Sequence, residues 1–347
     1  MDPTAIRWMD HLSEPRPQPG ADAALAGASA AEEAALLSKR DLLMALPQLG
    51  LLAAEGADTA SFLQGQLSCD LRQLTAGHAL LGGHSSPKGR LLAVLLLQRA
   101  GDAVWLELPA ALAANLCKRL SMYVLRAKVR LRDAGAERPA IGLIGARAGA
   151  ILEAIGLPAP AAPLAVASAD GTSVLRRHGE PARYSLRAEP QRLAQLWPLL
   201  AARAQAVGPA VWRLAEIRAG VPTVLPPTQE HFVAQMVNLD LLGGVSYDKG
   251  CYTGQEVIAR LHYRGNLKRR MFLARAAAPA IAPGTAVFDA GGSDTQPVGE
   301  VVDAAPMGGG SALLVVLQLG HRDSSPLRLG AADGAPLVLC DPADLDL

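Results

Sequence analysis

The chain contains 347 residues, a length that predicts about two or three domains with hydrophobic cores of their own. Half of the residues are hydrophobic but only 4% are aromatic, so the cores are predicted to consist mainly of Ala, Leu and Val. The 33 basic and 32 acidic residues leave a net charge of +1, which excludes a protein-wide field for nucleic acid or anionic membranes. We therefore expect no direct stable binding of nucleic acid and no membrane partner.

The cysteines and histidines are scattered along the chain. Cys69, Cys117, Cys251 and Cys340 form no C-x-x-C pair, and the seven histidines show no ligand spacing, so no metal site is predicted. Sparse cysteines are also atypical of a disulfide-rich secreted fold. No early apolar segment is long enough for a signal peptide core or a membrane helix, so we expect a cytoplasmic protein.

The chain begins with residues 1–37, which are rich in Ala and Pro and are predicted to form a mobile tail with a short helix after Ala21. Hydrophobic periodicity then predicts a first α+β unit. Its predicted elements are a strand at 49–54, a helix at 58–63, a hairpin of 91–97 with 104–108, a helix with a stripe of Leu112, Leu116, Leu120 and Tyr123, and a strand at 127–132.

A second α+β unit follows within residues 38–267, and a different pattern follows it. Beyond Lys268, short apolar runs separated by glycine-rich turns predict a small all-β barrel over residues 268–347. The second unit is predicted to have strands at 141–144 and around Val174 and Tyr184, and helices at 147–155 and 191–207. The barrel strands are predicted at 271–273, 286–288, 298–302, 313–319 and 337–339.

The segment from Gly243 to Glu256 contains the most informative cysteine. Thr253 and Glu256 have the spacing of a capping box, and Glu256 and Arg260 that of an i,i+4 ion pair, so a helix is predicted to begin here. Cys251 precedes that start, where the helix dipole and the charge of Lys249 favour a thiolate. A small packed cysteine in an ordinary turn is the alternative that these residues leave open. The other three cysteines are interpreted as core or strand fillers.

The run Lys249-Gly250-Cys251-Tyr252-Thr253-Gly254-Gln255-Glu256 resembles the signature of the YgfZ family of folate-binding, iron–sulfur-related proteins. These are relatives of the glycine-cleavage T-protein, an aminomethyltransferase. The resemblance extends from about residue 49 to the C-terminus, and it implies an α+β fold of T-protein type, with two related modules and a C-terminal β-barrel around a folate cavity. Four shorter runs agree in order: Phe62 to Leu67, Pro87 to Arg90, Arg218 to Pro222, and Asn238-Leu239 followed by Gly243-Gly244.

The resemblance also implies a function. It implies tetrahydrofolate or a derivative as cofactor, and an accessory role in assembling or repairing iron–sulfur clusters. The implied partners are client enzymes such as radical enzymes that thiolate tRNA. The functional cysteine and lysine of the family correspond to Cys251 and Lys249. The predicted cofactor-binding residues are Gln64, Gln66, Trp212, Glu216, Asn238, Tyr252, Gln255 and Arg260.

Two departures from the T-protein pattern bear on catalysis. Where T-protein-like enzymes have an aspartate on the strand after the glycine that matches Gly89, this chain has Ala93 and Val94. Without that carboxylate, aminomethyl transfer lacks its acid/base group, so we predict that the chain is not a working aminomethyltransferase. The acid expected directly before Ala219-Gly220 is also replaced, by Arg218, with Glu216 two residues earlier.

Two alternatives to the accessory role remain open. The chain could be a folate-dependent one-carbon transferase or demethylase that uses another acid, for example Asp70 or Glu216. It could also be a folate-independent interaction module, because related folds host unrelated functions.

Two local clusters of basic residues interrupt the overall neutrality. Lys128, Arg130 and Arg132 alternate with apolar residues, which is typical of a solvated strand face, although an anion contact is the alternative. Arg260, Arg264 and Lys268 to Arg270 form a second cluster, interpreted as a ligand or partner surface or as interdomain ion pairs. No aromatic residues are interleaved as in RNA-stacking modules.

Overall fold

The computed structural model of the protein describes residues 29–291, 296–323 and 326–345. Residues 1–28 of the predicted mobile tail lie outside the described residues. Helix α1 (Ala30–Ala34) begins with a capping box in which the Ser29 side chain accepts a hydrogen bond from the Glu32 N–H. The Glu33 carboxylate accepts a hydrogen bond of 2.9 Å from the Gly208 N–H. Because Ala34 and Leu37 are buried, the end of the predicted tail packs against the body of the protein.

The first module contains a five-stranded antiparallel sheet with the strand order β3-β4-β5-β2-β6. The strand and helix predictions up to 109 are confirmed, and Leu112, Leu116 and Leu120 are buried on the second helix. Tyr123 is 39% exposed, because the helix ends at Ser121. The elements are β1 (Leu42–Ala45), which belongs to the second sheet, β2 (Leu49–Glu55), α2 (Thr59–Gln64), β3 (Leu80–Ser85), β4 (Leu91–Ala100), β5 (Ala103–Pro109), α3 (Ala110–Ser121) and β6 (Arg130–Asp133).

The second module contains a six-stranded sheet with the strand order β11-β1-β7-β10-β9-β8. The prediction of one helix over 191–207 is wrong at its end. The helix stops at Ala201, because Gln205 and Ala206 pair in parallel with Leu42 and Leu43 and extend the sheet. The elements are β7 (Ala140–Ile144), α4 (Ala148–Ala154), β8 (Val166–Ala169), β9 (Thr172–Arg176), β10 (Arg183–Arg187), α5 (Pro190–Ala201) and β11 (Gln205–Ala206).

A buried carboxylate joins the two sheets. Glu107 on β5 pairs with Arg177 and, at 2.7 Å, with Arg187, both from the second module. All three side chains are less than a tenth exposed. Because a buried charge is costly unless it is paired, Glu107 fixes the second module against the first.

Helix α6 (Ala210–Arg218) follows the second sheet and was not predicted from the sequence. Val211, Trp212, Leu214, Ala215 and Ile217 are all buried, so the helix is apolar on most sides and lacks the amphipathic pattern of a surface helix. It packs at the centre of the molecule, in a hydrophobic cluster that includes residues of both sheets and of the C-terminal barrel.

Helix α7 (Gln255–Tyr263) leads into the C-terminal part, which is a closed six-stranded barrel with the order β12-β15-β14-β13-β16-β17. The predicted α+β fold with a small C-terminal β-barrel is therefore confirmed. Arg213 of α6 pairs with the fully buried Asp303 on the barrel and ties the barrel to the centre. The strands are β12 (Arg269–Ala276), β13 (Ala286–Asp289), β14 (Gly299–Met307), β15 (Gly310–Gln318), β16 (Leu327–Leu329), which was not predicted, and β17 (Ala335–Leu339).

Candidate functional site

Lys249 is a buried anchor rather than a surface cation. Its side chain is 7% exposed, and its ammonium group donates hydrogen bonds to three backbone carbonyls. The distances are 2.7 Å to Gln64, 2.7 Å to Leu67 and 2.6 Å to Cys69. All three ammonium protons therefore have acceptors, and the segment that contains Cys251 is tied to the end of α2.

Burial and an aromatic neighbour define the electrostatics of this lysine. Burial lowers the pKa of Lys249 to about 8. The ring centroid of Tyr252 lies 5.0 Å from Nζ, within the range of a cation–π interaction. Tyr252 itself is 7% exposed, and burial raises the pKa of its hydroxyl. The two residues that flank Gly250 and Cys251 are thus both fixed in the protein interior.

A polar network beside the anchor uses the side chain of Gln64. The Gln64 amide donates to Asp70 Oδ1 at 2.9 Å and accepts from the Leu71 N–H at 2.7 Å. Arg72 binds the same carboxylate through Nε and Nη2 and donates to the Asp248 carbonyl at 3.4 Å. The hydrogen bonds from Arg72 hold the pKa of Asp70 well below its usual range. Asp70 therefore stays ionised, and the Gln64 amide already has hydrogen-bond partners within the protein.

The two glycines at the junction between α7 and the β3–β4 turn permit a close backbone approach. Gly254 has φ +84°, and a Cβ there would lie 2.7 Å from the Ser86 carbonyl oxygen. Gly89 has φ +71°, and a Cβ there would lie 2.7 Å from Cβ of Val257. The signature run and the Pro87 to Arg90 run are thus two sides of one contact.

The predicted capping box at this helix start is wrong. The N-cap residue is Gly254, without a side-chain hydrogen bond, because the cap must adopt a left-handed backbone to reach the turn. Thr253 instead contributes its N–H, which donates to the Gly65 carbonyl at 3.2 Å. Glu256 and Arg260 are both exposed and form no ion pair within the described part of the chain, in contrast to the predicted pair.

Cys251 is the exposed cysteine of the four, and it lies four residues before the first residue of α7. The lysine that was predicted to act on its thiol directs its ammonium protons to the carbonyls instead. Burial raises the pKa of Cys69 to about 12 and that of Cys340 to about 11, and it also raises the pKa of Cys117. Cys69 is fully buried and the other two are half-buried, which confirms their interpretation as fillers.

The structure places the other predicted cofactor residues in three separate regions. The guanidinium groups of Arg177 and Arg183 lie over the Trp212 ring, at 5.5 and 5.3 Å from its centroid, and Glu216 pairs with Arg183 at 3.3 Å. The Asn238 amide donates to the Met271 carbonyl at the start of the barrel, at 2.9 Å. In the signature segment, Gln255 accepts a hydrogen bond from the Tyr252 N–H, and Arg260 points to solvent.

A cavity of about 160 Å³ lies between the end of α6 and the barrel. Gly220, with φ +65°, has open space where a side chain would be, so its backbone is accessible. Cys251 is not part of the lining. The lining residues are Arg218, Ala219, Gly220, Asn238, Met271, Phe272, Leu273, Leu314 and Pro342.

Sequence reasoning missed several buried polar side chains near the signature segment. His84 is fully buried, its Nδ1 lies 3.1 Å from the Gln66 carbonyl, and burial lowers its pKa to about 4. Within the described residues, His84 Nε2, Gln66 Oε1 and the hydroxyls of Ser85 and Ser86 have no hydrogen-bond partner. Only the tertiary contact of β3 with the distant segment brings them to the site, so no local sequence signal could have identified them.

The strand position that bears an aspartate in T-protein-like enzymes is apolar here. Ala93 and Val94 lie on β4 opposite His84 and Gly83, and both are buried. Val94 belongs to the central hydrophobic cluster. The centre of the molecule therefore has no carboxylate at this position.

The part of the chain that the structure describes shows neither a clustered metal site nor a membrane-spanning helix. There, no group of three His, Cys, Asp or Glu side chains is arranged to hold a metal ion. Over the same residues, no helix has both the length and the apolar character required to cross a bilayer.

Comparison with known proteins identifies the family. No protein-family model matches the chain. The tRNA-modifying protein YgfZ of Cronobacter sakazakii is 30% identical over 311 residues, which cover 88% of this chain and 93% of that protein. The chain belongs to the YgfZ family. YgfZ proteins of Colwellia psychrerythraea and Escherichia coli O157:H7 are each 32% identical, over 66% and 67% of this chain and over 70% and 71% of their own lengths.

The fold comparison agrees with this assignment. The glycine cleavage system aminomethyltransferase T from Bartonella henselae superposes with a TM-score of 0.74 at 17% sequence identity. The superposition covers 90% of this chain and 88% of that structure. The YgfZ-family chain thus has the T-protein-like fold that its signature runs imply.

Proposed function

We propose that this YgfZ-family protein is a folate-binding accessory factor for the assembly or repair of iron–sulfur clusters. Its clients would be enzymes such as the radical enzymes that thiolate tRNA, and Cys251 would be its working thiol. The relatives' name, tRNA-modifying protein, supports a role related to tRNA modification. The observation that carries the proposal is the position of Cys251, an exposed thiol between the buried anchors Lys249 and Tyr252.

The anchors suit a thiol that meets a partner protein. The three hydrogen bonds of Lys249 and the burial of Tyr252 fix the backbone on both sides of Cys251. Little conformational entropy is then lost when a partner contacts the thiol. Thiolate sulfur is a soft ligand that suits iron–sulfur clusters, and it is also the nucleophile in sulfur exchange. Lys249 acts here as a positioning residue through the backbone.

The cavity beside Gly220 is suitable for one ring of a folate. Met271, Phe272 and Leu314 supply apolar walls, and Arg218 is the basic residue of the lining. At about 160 Å³ the cavity is smaller than the roughly 300–1,000 Å³ typical of ligand pockets, so the remainder of the cofactor would extend outside it. When bound, a reduced folate supplies one-carbon chemistry. We propose that Arg218, the Gly220 backbone and Phe272 hold the ring.

The two candidate acids are both held in ion pairs, which supports an accessory role rather than a transferase activity. Asp70 is bound by Arg72 and Glu216 by Arg183. A general acid needs a pKa near the working pH, whereas Arg72 holds the pKa of Asp70 well below its usual range. Ala93 and Val94 add no carboxylate. A one-carbon transferase would therefore have to break one of these ion pairs before catalysis.

The decisive experiment replaces Cys251 with Ala in a strain that depends on this copy, followed by an assay of a cluster-containing tRNA methylthiotransferase. We expect most of the methylthiolated tRNA to be lost. Cys117→Ala is the matched control, because its thiol is half-buried and its removal should leave activity intact. Full activity of Cys251→Ala would contradict the proposed role of the thiol.

Folate binding is tested separately by calorimetry with tetrahydrofolate. We expect binding that weakens when the cavity wall is truncated by Phe272→Ala. Absence of binding by any reduced folate at high protein concentration would instead favour a folate-independent interaction module. Methylene-tetrahydrofolate turnover that survives Cys251→Ala but disappears in Asp70→Asn or Glu216→Gln would favour the transferase.

A further inference from the structure

Four basic side chains beside the signature segment have no acidic partner among the residues that the structure describes. Arg260, Arg264, Lys268 and Arg269 are all exposed, and none forms an ion pair with any acidic residue that the structure describes. By contrast, Arg270, the next residue in the chain, is paired with Asp240 at 2.7 Å. The second basic cluster is therefore divided into one structural arginine and four cations that face solvent.

Three aromatic rings lie beside these cations. Tyr247 and His262 are stacked, with ring centroids 3.7 Å apart and an interplanar angle of 14°. Tyr263 meets His262 edge-on at 4.7 Å and Tyr247 at 6.2 Å. Tyr263 is 64% exposed, so a large part of its ring is available to a ligand. We call Tyr247, His262, Tyr263 and the four cations the basic–aromatic face.

Gln235 holds the parts of this face together. Its amide donates to the Ile258 carbonyl of α7 at 2.7 Å and to the Tyr247 hydroxyl at 3.4 Å. The backbone carbonyl of Gln235 accepts a hydrogen bond from Arg270 on β12 at 2.9 Å. One buried residue thus connects the helix, the stacked tyrosine and the start of the barrel, so the face has a fixed shape.

This arrangement bears on the expectation of no stable nucleic-acid binding. That expectation rested on the near-zero net charge and on the absence of aromatic residues interleaved with the basic clusters. The structure stacks Tyr247, which lies 13 residues before Arg260 in the sequence, on His262, a residue of the same helix as Arg260. An aromatic platform among unpaired cations is the combination with which proteins bind single-stranded nucleic acid.

We propose that the basic–aromatic face binds unpaired nucleotides of RNA, such as those of a tRNA loop. The four cations suit the phosphate backbone, and the exposed ring of Tyr263 suits an unstacked base. An acidic polypeptide would use the cations, but it offers no flat base for the ring. This proposal does not rest on the chemistry of Cys251, so it and the proposed function can fail independently.

The test measures the binding of a fluorescein-labelled RNA stem–loop to the full-length protein by fluorescence anisotropy over a range of salt concentrations. We expect the affinity to fall with salt, with a slope in log–log form of about −0.7 for each phosphate contacted. Arg260→Gln with Arg264→Gln should make the slope shallower by about 0.7 for each lost contact. The matched control is Lys128→Gln with Arg130→Gln, which removes the same charge from two exposed positions, one at the start of β6 and one two residues before it, and should leave the slope unchanged.

Tyr263→Ala tests the stacking contribution. Loss of one stacked base should weaken binding at least about fivefold, whereas binding of a fully paired duplex should change little. No binding of the stem–loop at low salt would overturn the proposal. Equal losses of affinity in the Arg260/Arg264 double variant and in the Lys128/Arg130 control would also overturn it. Displacement of the RNA by polyglutamate at equal charge concentration would also overturn it, in favour of an acidic protein partner. Undiminished binding by Cys251→Ala is expected, which separates this test from that of the thiol.

Discussion

The Lys249 ammonium lies 2.6 Å from the carbonyl oxygen of Cys69, although 180 residues separate the two in the chain. This bond and its two companions connect the signature segment to the first module. The lysine thus explains why the exposed thiol beside it has a defined position. The three acceptors are backbone carbonyls. A residue that replaces Lys249 must therefore supply three hydrogen-bond donors at the end of a side chain of the same length to keep these bonds.

We predict that Lys249→Met destabilises the protein by about 1–3 kcal/mol, because three carbonyls lose a buried donor. Urea unfolding followed by circular dichroism would measure the change in the free energy of unfolding. Lys128→Met, at an exposed position, is the control and should change it by less than about 0.5 kcal/mol. Equal stability of the two variants would show that the three hydrogen bonds do not anchor the segment.

Cys251 should react with iodoacetamide at neutral pH faster than the other three cysteines. It is exposed, whereas burial raises the pKa of the Cys69, Cys117 and Cys340 thiols and keeps them protonated. Peptide mass spectrometry over a time course would give the four rates, and the unfolded chain in urea provides the reference. The interpretation fails if Cys117 or Cys340 is alkylated first in the native protein.

His84 should make the protein sensitive to acid. Burial lowers its pKa from 6.5 to about 4, so between these values the unfolded chain binds more protons than the folded one. Stability therefore rises with pH through this window, and about 3 kcal/mol is lost as the pH falls from 6.5 to 4. In His84→Gln the difference in unfolding free energy between pH 6.5 and pH 4 should shrink accordingly. His78→Gln, at an exposed histidine, should keep the wild-type dependence, and a wild-type dependence in His84→Gln would contradict the prediction.

Gly254→Ala should be more destabilising than Gly243→Ala. Both glycines have positive φ, +84° and +74°, so an alanine is strained at either position. Only at Gly254 would the new Cβ also meet a carbonyl oxygen, that of Ser86 at 2.7 Å, whereas Gly243 has open space. The overpacking should add about 1–3 kcal/mol to the loss at Gly254. Thermal unfolding of both variants measures this difference, and equal melting temperatures would exclude a tight contact between α7 and the turn.

The sequence predicted those elements whose hydrophobic period is regular. Leu112, Leu116 and Leu120 indicate one helix face, and the alternation of short apolar runs indicates the barrel. Helix α6 was missed because it is buried on most sides and has no polar face to define a period. The β3 strand was missed because Gly82 and Gly83 have low strand propensity.

The sequence identified the main side chains of the site but not the contacts that they make. The signature run pointed to Lys249 and Cys251, but the acceptors of Lys249 are carbonyls, which every residue has. The orphaned polar atoms of His84 and Ser85, and the stacking of Tyr247 on His262, depend on contacts between distant segments. Such contacts have no local pattern in the sequence.

Strand β1 has a consequence for the order in which the protein forms during synthesis. Leu42 to Ala45 precede the whole first module, but their partners are β7 and β11, which follow it. At about 5–20 residues per second, a ribosome takes on the order of ten seconds to reach β7 after β1. During that time four apolar residues that are buried in the finished fold remain without their sheet. We therefore expect the nascent chain to complete the first module while β1 is still unpaired. The second sheet would close only when residues 140–206 have emerged.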